Sequence, residues 1–239
     1  MHRLLGIVCL GTVVGAAPAS RAGMHEISPQ QTPEQIRAVM RSAGPGDTVT
    51  VAPGDYASLR VPSGIVLQAA TGPSQTTVSG TGDFVLDLRG TDSTTVVDGL
   101  TVAGGRTAAA LIRADSSRAV IRNCVLRGGW SGIRAVGSDL RVENCLIGEC
   151  QNGVFLDEGT GVLTGNEIRR CTRGVNLVDA GPSLRGNDIR ENSVGLAAAG
   201  RSDPEIGESV EHANTFRDNR TAVLNTTATA SGALAARRP

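Results

Sequence analysis

Apolar residues return at a nearly constant interval along the middle of the chain. A small residue followed by an aliphatic one occurs five times, first at intervals of 21 residues and finally at one of 27. These pairs are Gly132-Ile133, Gly153-Val154, Gly174-Val175, Gly195-Leu196 and Ala222-Val223. A second apolar column keeps the same intervals and consists of Leu126, Ile147, Ile168, Ile189 and Phe216. A self-similar period of about 20 residues predicts a solenoid, whose repeats bury their apolar faces against one another.

Each repeat alternates polar and apolar residues over short stretches. Ile168 stands between Glu167 and Arg169, so its side chain is expected to point inward and the charged neighbours outward. A second strand starts at the Gly-aliphatic pair of each repeat, and a third follows the next loop, as in residues 162–164. Three short strands per coil, each beside its equivalent in the next coil, predict an all-β fold. This fold is a single-stranded parallel β-helix with three parallel sheets and rungs of about 21 residues.

Two further columns place small or polar residues at inward turns. One reads Cys124, Cys145, Asn166, Asn187 and Asn214, and the other Gly129, Cys150, Cys171, Asn192 and Asn219. Stacked asparagines are expected to hydrogen-bond to their equivalents in the next coil. The cysteines leave two interpretations, namely disulfides within each column or buried thiols. Adjacent rungs bring the backbones within disulfide range, but parallel Cβ directions make the torsion hard to reach, which favours thiols.

A short helix precedes the solenoid. The segment Thr32-Pro33-Glu34-Gln35 combines an N-cap threonine, a proline in the first turn and a glutamine at the capping-box position. Ile36, Val39 and Met40 then share one face, and Gly44 ends the helix. Since the first rung of a solenoid exposes apolar side chains and unpaired backbone groups, we expect this helix to cap it.

These patterns divide the chain into four segments. Residues 1–22 are typical of a signal peptide, with a charged Arg3, a short apolar run from Leu4 to Val14, and small residues at Ala19 and Ala22 where cleavage could occur. Residues 23–46 hold an N-terminal strand and the capping helix, residues 47–225 the β-helix, and residues 226–239 a flexible tail. We therefore predict an exported protein, secreted or periplasmic, that does not insert into the membrane.

The composition argues against nucleic-acid binding. The 23 basic and 23 acidic side chains give a formal charge of zero, so no overall field would attract nucleic acid. Aromatic residues make up 2% of the chain, which a core of stacked aliphatic rows tolerates. Trp130 is the only tryptophan, so the sequence predicts little of the aromatic platform on which sugar rings stack.

Part of the sequence resembles a known family. The phrase GPGDTVTVAPGDY, followed by rungs such as GNEIRRCTRGVNL and GNDIRENSVGLAA, is similar to right-handed parallel β-helix proteins of the pectin-lyase-like superfamily. This superfamily includes NosD-type and carbohydrate-processing members. The resemblance covers residues 32–225 and implies a secreted or periplasmic protein that acts on polysaccharide. A leucine-rich repeat is the alternative solenoid, but the Gly-rich, extended second half of each repeat favours the β-helix.

Outward positions next to the isoleucine column carry charge. One row contains Arg127, Arg169, Arg190 and Arg217, and its neighbour contains Glu167 and Asp188. Guanidinium groups match uronate carboxylates with two hydrogen bonds, so this surface is a candidate binding site for an acidic glycan. The resemblance implies a further role, because arginine often abstracts a proton in lyases of the superfamily. The alternative is an exposed face whose neighbouring rungs neutralise each other.

Loop carboxylates suggest a candidate metal site. Asp157, Glu158 and Asp179 fall on loops of adjacent rungs, where oxygen ligands could bind Ca²⁺. A calcium site takes six to eight such ligands, so solvated loop acids are the alternative.

Two functions follow from these patterns. The first is an exported β-helix that binds or processes polysaccharide, such as an acidic or cell-envelope glycan. The second is a non-catalytic structural or surface-interaction module. The Gly-His-Gly motif of polygalacturonases and the Asp-Pro-His motif of alginate epimerases are absent. The sequence thus leaves open whether the chain is an enzyme of the lyase or glycoside hydrolase class, and it leaves the oligomeric state open.

Overall fold

The computed structural model shows a solenoid whose coils contribute strands to three parallel sheets. It describes residues 22–105, 107–207 and 212–227. Most of the predicted signal peptide and of the predicted tail therefore lies outside the described residues. Strands that neighbour each other in a sheet come from successive coils and run parallel, and the coil is right-handed. The predicted fold class is confirmed.

The strands are numbered along the chain and grouped by sheet. Sheet I contains β1 (Met24–Ile27), β2 (Thr48–Val51), β5 (Val66–Ala69), β8 (Val96–Asp98), β11 (Val120–Arg122), β14 (Asp139–Glu143), β17 (Thr160–Thr164), β20 (Ser183–Arg185) and β23 (Glu205–Ile206). Sheet II contains β3 (Gly54–Ala57), β6 (Thr76–Gly80), β9 (Thr101–Gly104), β12 (Val125–Arg127), β15 (Leu146–Gly148), β18 (Glu167–Arg169), β21 (Asp188–Arg190) and β24 (Thr215–Arg217). Sheet III contains β4 (Leu59–Arg60), β7 (Leu86–Asp87), β10 (Ala110–Arg113), β13 (Ser131–Val136), β16 (Asn152–Asp157), β19 (Arg173–Val178), β22 (Val194–Gly200) and β25 (Thr221–Thr227).

The inward columns predicted from the period form the core. Ile147, Ile168 and Ile189 are register partners in sheet II, and all three are fully buried. The Gly-aliphatic column lies in sheet III, where Val154 is the register partner of Val175. Each fully buried side chain of this size stabilises the fold by about 1.5–3 kcal/mol, so the aliphatic rows hold the stack together.

Helix α1 (Pro33–Ser42) starts and packs as predicted. The Gln35 backbone N–H donates to Thr32 Oγ1 at 3.3 Å, and the Thr32 N–H donates to Gln35 Oε1 at 2.8 Å. Ile36 and Met40 are buried in the same core cluster as Ile27 of β1, so the helix covers the first coil. In the part of the chain that the structure describes, no helix is long and apolar enough to span a bilayer.

The predicted asparagine ladders are present at two corners of the coil. At one corner the Asn187 side-chain amide donates to Leu163 O and to Asn214 Oδ1, both at 2.8 Å. Its Oδ1 accepts from the Asn166 backbone N–H at 3.0 Å and from the Asn166 amide at 2.9 Å. Asn192 and Asn219 repeat this arrangement at the other corner. The ladders therefore satisfy turn groups that the sheets leave unpaired.

Replacing Asn187 with alanine is expected to lower the free energy of unfolding by about 2 kcal/mol, because it leaves buried partners on both neighbouring coils without a hydrogen bond. Urea unfolding followed by circular dichroism measures this loss. The matched substitution Asn219→Ala should cost less, since Asn219 is only half-buried on the last described coil. Equal losses at the two positions would contradict the ladder as the source of the effect.

The four cysteines of the described residues are free thiols, and all of them are buried. Each thiol lies within hydrogen-bonding distance of a carbonyl oxygen, as with Cys150 Sγ and Gly128 O at 2.9 Å or Cys145 Sγ and Glu143 O at 3.3 Å. Cysteine therefore replaces asparagine in these columns without losing every polar contact. The structure agrees with the thiol interpretation rather than the disulfide one.

Candidate functional site

The predicted arginine row lies in register on sheet II. Arg127 is the register partner of Gly148, Gly148 of Arg169, Arg169 of Arg190, and Arg190 of Arg217. Glu167 and Asp188 are partners in the neighbouring outward row, two positions earlier on the same strands. The strands thus bring all six predicted glycan-binding residues onto one face.

Most of this row is neutralised by its own neighbours. Arg190 forms ion pairs with Glu167, Asp188 and Glu191, and only 16% of its side chain is exposed. Arg169 contacts Glu167 at 3.0 Å, and Arg217 contacts Asp188 at 2.7 Å. Burial by itself would lower the pKa of Arg190, but the surrounding carboxylates raise it overall. These three arginines are therefore fixed cations that already have partners.

Arg127 differs from the other members of the row. Its side chain is exposed and, among the described residues, it has no carboxylate partner. Its register partner in the next coil is Gly148, where an added Cβ would lie 2.9 Å from Arg169 O. Val125 and Leu146 occupy the neighbouring outward positions and carry no charge. The guanidinium of Arg127 is thus available to a ligand.

A groove runs along the corner where sheet II turns into sheet III, directly after Arg127. We call it the corner groove, and its volume is about 780 Å³. The residues that line it are Gly104, Gly105, Gly128, Gly129, Trp130, Glu149, Cys150, Gln151, Arg170, Cys171, Thr172, Glu191 and Ser193. Trp130 is 58% exposed there, so a large apolar ring faces solvent inside the groove.

Glycine forms the floor of the corner groove for a steric reason. At Gly128, with φ at +80°, an added Cβ would lie 2.2 Å from Gly104 O on the preceding coil. At Gly129, with φ at +81°, an added Cβ would lie 3.1 Å from Leu111 Cδ2. A side chain at Gly128 would be excluded by contact with backbone, and the floor stays flat beside Trp130.

Charged groups line the far wall of the corner groove. Arg170 Nε donates to Glu191 Oε2 at 2.9 Å, and this hydrogen bond is the main reason that the pKa of Glu191 is lowered. Glu149 and Gln151 are exposed on the coil between this pair and Trp130. The groove therefore offers one apolar ring, hydrogen-bonding side chains and both signs of charge.

Sequence reasoning missed this groove. It treated Trp130 as an isolated aromatic residue, and it assigned no role to the Gly128-Gly129 pair that precedes it. The signal was available, because a single tryptophan after two adjacent glycines, one turn from an outward arginine, is an unusual combination. The place of Gly104 beneath Gly128 follows from the offset of 24 residues that relates Val102 to Leu126, but the open groove above these glycines does not follow from it.

The predicted metal ligands are not gathered into a site. Asp179 Oδ1 accepts from the Arg201 backbone N–H at 2.8 Å, a bond that lowers the pKa of Asp179. Asp157 lies half-buried on β16, and Glu158 is exposed in the turn that follows it. Within residues 22–105, 107–207 and 212–227, no group of three or more His, Cys, Asp or Glu side chains is arranged to hold a metal ion.

Comparison with known proteins gives one family and several distant structures. A family model described as a right handed beta helix region matches residues 63–220. No curated protein shows significant sequence similarity to the chain. The A-module of the mannuronan C-5 epimerase AlgE4 from Azotobacter vinelandii is 16% identical, with a TM-score of 0.43, over 80% of this chain and 76% of that one.

Two lyase structures are similar at the same level. Pectate lyase Pel9A is 10% identical with a TM-score of 0.47, over 89% of this chain and 78% of that one. A mutant of the PL6-family alginate lyase AlyGC is 11% identical with a TM-score of 0.49, over 92% of this chain and 40% of that one. At such identities and TM-scores nothing about activity follows from these similarities.

Proposed function

Because this chain belongs to the right-handed β-helix family, it presents rigid sheet faces and corners, and we propose that it binds polysaccharide at the corner groove and the adjoining arginine row. Acidic glycan, including glycan of the cell envelope, is the class that the charges favour. Export to the periplasm or the exterior stays a prediction from residues 1–22. The role of a structural module without a ligand is the competing interpretation.

The observation that carries the proposal is the position of Trp130 beside a flat glycine floor, at the corner that follows Arg127 in the chain. An aromatic ring provides a large rigid contact area for the apolar face of a sugar ring. The glycine floor admits that ring without a side chain in the way. Arg127 can then form a paired hydrogen bond with a carboxylate of the same or the next sugar residue.

The arginine chemistry supports binding rather than proton abstraction. Arg190 lies among three carboxylates that stabilise its positive charge and raise its pKa, so it holds its proton tightly. Arg169 is likewise paired with Glu167. A general base needs a pKa near the working pH, and the carboxylates around Arg190 move its pKa in the opposite direction. We therefore assign the row to binding.

Titration with an oligouronate is expected to change the fluorescence of Trp130, which is the only tryptophan in the sequence and so reports on this groove alone. Arg127→Ala should weaken oligouronate binding by about tenfold, because it removes a charge-assisted contact. Binding should also weaken with added salt, since exposed charges are screened. The control is Arg118→Ala, which removes an exposed arginine at a different corner and should leave the affinity unchanged.

A neutral oligosaccharide of the same length tests the acidic preference and should bind at least tenfold more weakly. Saturable binding that Arg127→Ala and Arg118→Ala reduce equally would remove the assignment to this site. A fluorescence signal that no glycan changes would favour the structural module. Absorbance of unsaturated uronate appearing during the titration would show processing and overturn a purely binding role.

A further inference from the structure

A second cleft lies beside β4 and the residues that follow β7 and β10 in sheet III. It opens where helix α1 faces the first coils, and its volume is about 930 Å³. Its walls include the apolar side chains of Met40, Leu59, Val61 and Phe84. We call it the cap cleft. Its volume is within the range that takes a small molecule.

A fully buried carboxylate organises the charged side of the cap cleft. Asp87 on β7 is the register partner of Arg60 on β4 and of Arg113 on β10. It forms ion pairs with Arg60 at 2.9 Å, Arg89 at 3.0 Å and Arg113 at 3.2 Å, and its own side chain has no exposed surface. One carboxylate therefore fixes three guanidinium groups, two of which, on Arg60 and Arg89, line the cleft.

The arginines outnumber the acids around the cap cleft. Helix α1 adds Arg37 and Arg41, which share a single carboxylate, Glu34. Arg134 forms an ion pair with Asp115, and Asp92 accepts a hydrogen bond from the hydroxyl of Ser63, which lines the cleft. Four of the residues that line the cleft are arginines, Arg37, Arg41, Arg60 and Arg89, and one, Asp115, is an acid, so the lining is net basic in a chain whose total charge is zero.

The arginines that line the cleft keep hydrogen-bond donors that have no partner in the described part of the chain. Arg60 and Arg89 contact Asp87 through Nε and Nη2 only, which leaves Nη1 of each without a partner in the described part of the chain. Their side chains are 68% and 43% exposed. Arg113 instead lies over the Phe84 ring at 4.4 Å, so this ring borders the charged cluster. The cap cleft therefore combines guanidinium N–H donors with an apolar wall.

We propose that the cap cleft binds a small organic anion, whose acidic head contacts Arg60 and Arg89 and whose apolar body packs against the half-buried Pro62 and Phe84. Carboxylate, sulfonate and phosphate heads share the required chemistry, because each accepts paired hydrogen bonds from guanidinium groups. The site is separate from the corner groove and does not depend on glycan binding there.

Anilinonaphthalene sulfonate is the probe for this proposal, because it joins one anionic head to an apolar aromatic body. We expect saturable binding with a stoichiometry of about one at low ionic strength, and a rise in Tm, since a ligand of the native state stabilises it. The double variant Arg60→Ala with Arg89→Ala should weaken binding at least tenfold. Arg113 remains in that variant to hold Asp87. Arg220→Ala, which removes an exposed arginine of the last described coil, is the matched control and should bind as the native protein does.

Phenylnaphthylamine, the uncharged relative of the probe, should bind at least tenfold more weakly than the sulfonate. Equal affinity for the two probes would overturn anion recognition. Equal weakening by the double variant and by Arg220→Ala would overturn the location, as would a lack of saturable binding.

Arg127→Ala should leave probe binding unchanged, so failure here is distinguishable from failure of the glycan proposal. Capture of the protein by phosphatidylglycerol vesicles through Arg60 and Arg89, without binding of the soluble probe, would make the surface a membrane contact and overturn the proposal.

Discussion

Replacing Gly153 with alanine is expected to lower the free energy of unfolding by about 3 kcal/mol, the upper end of what overpacking a filled interior costs. An added Cβ would lie 2.5 Å from Gly174 O on the next coil and 2.7 Å from Ile168 Cγ2. Gly153 has no positive φ, so the penalty is steric rather than conformational. Because one of the contacts is backbone of the neighbouring coil, relief requires the coils to move apart.

Urea unfolding monitored by circular dichroism measures this effect. The matched control is Gly82→Ala, where an added Cβ has no atom within 4 Å, and we expect a change within about 0.5 kcal/mol. Similar stabilities for the two variants would show that the coils do not approach each other as closely at Gly153 as the structure has them.

Replacing Asp87 with asparagine is expected to cost about 3 kcal/mol at neutral pH, because it removes the only carboxylate that contacts all three arginines of the cluster. Removal of one partner from a buried ion pair is costly since the remaining charge is left without compensation. Arg113 is the residue most affected, because it is largely buried beside Phe84. The control is Asp98→Asn, which removes a partly exposed partner of Arg122 and should cost less than about 1 kcal/mol.

The same carboxylate predicts a pH dependence. Burial would raise the pKa of Asp87, but hydrogen bonds from Arg89, Arg113 and Arg60 lower it to about 2 from an ordinary value of 3.8. A lowered carboxylate pKa stabilises the fold above the unfolded value, and this stability is lost as pH falls from about 4 to about 2. The loss is about 2 kcal/mol. Asp87→Asn should lack this component, so the stability difference between native protein and variant should shrink across that interval. A constant difference would contradict the ionised state of Asp87.

The architecture was predictable because residues that recur at the repeat interval of a solenoid lie next to each other in adjacent coils. Ile147, Ile168 and Ile189 recur at one interval, and the structure has them as buried register partners. The asparagine columns predicted hydrogen bonds between coils, which Asn166 and Asn187 form. A constant interval fixes both the partner and the face of each residue, so these pairings follow from the sequence without further information.

The arginine row was predictable in position, and neutralisation by neighbouring rungs was one of its two interpretations. The period placed Arg169 and Arg190 on one outward face, and sheet II confirms that placement. Which of the arginines are neutralised depended on side-chain rotamers, including that of Glu191, which flanks the row. The structure shows Arg190 enclosed by carboxylates, whereas Arg127 has an uncharged neighbourhood because Gly148 follows it in register.

Taken alone, the sequence determined the fold class, the capping helix, the inward rows and the face on which the arginines lie, because each of these depends on spacing that is regular along the chain. Tertiary structure alone decided the corner groove and the cap cleft. Arg60, Asp87 and Arg113 are separated by 27 and 26 residues rather than 21, so loops of uneven length set their register and no column reveals it. Trp130 lines the corner groove together with Glu149 and Glu191 of the following coils, and the open space between these side chains depends on how each corner folds. Contacts made across irregular loops depend on how the loops fold, and that information appears only once the coils are stacked.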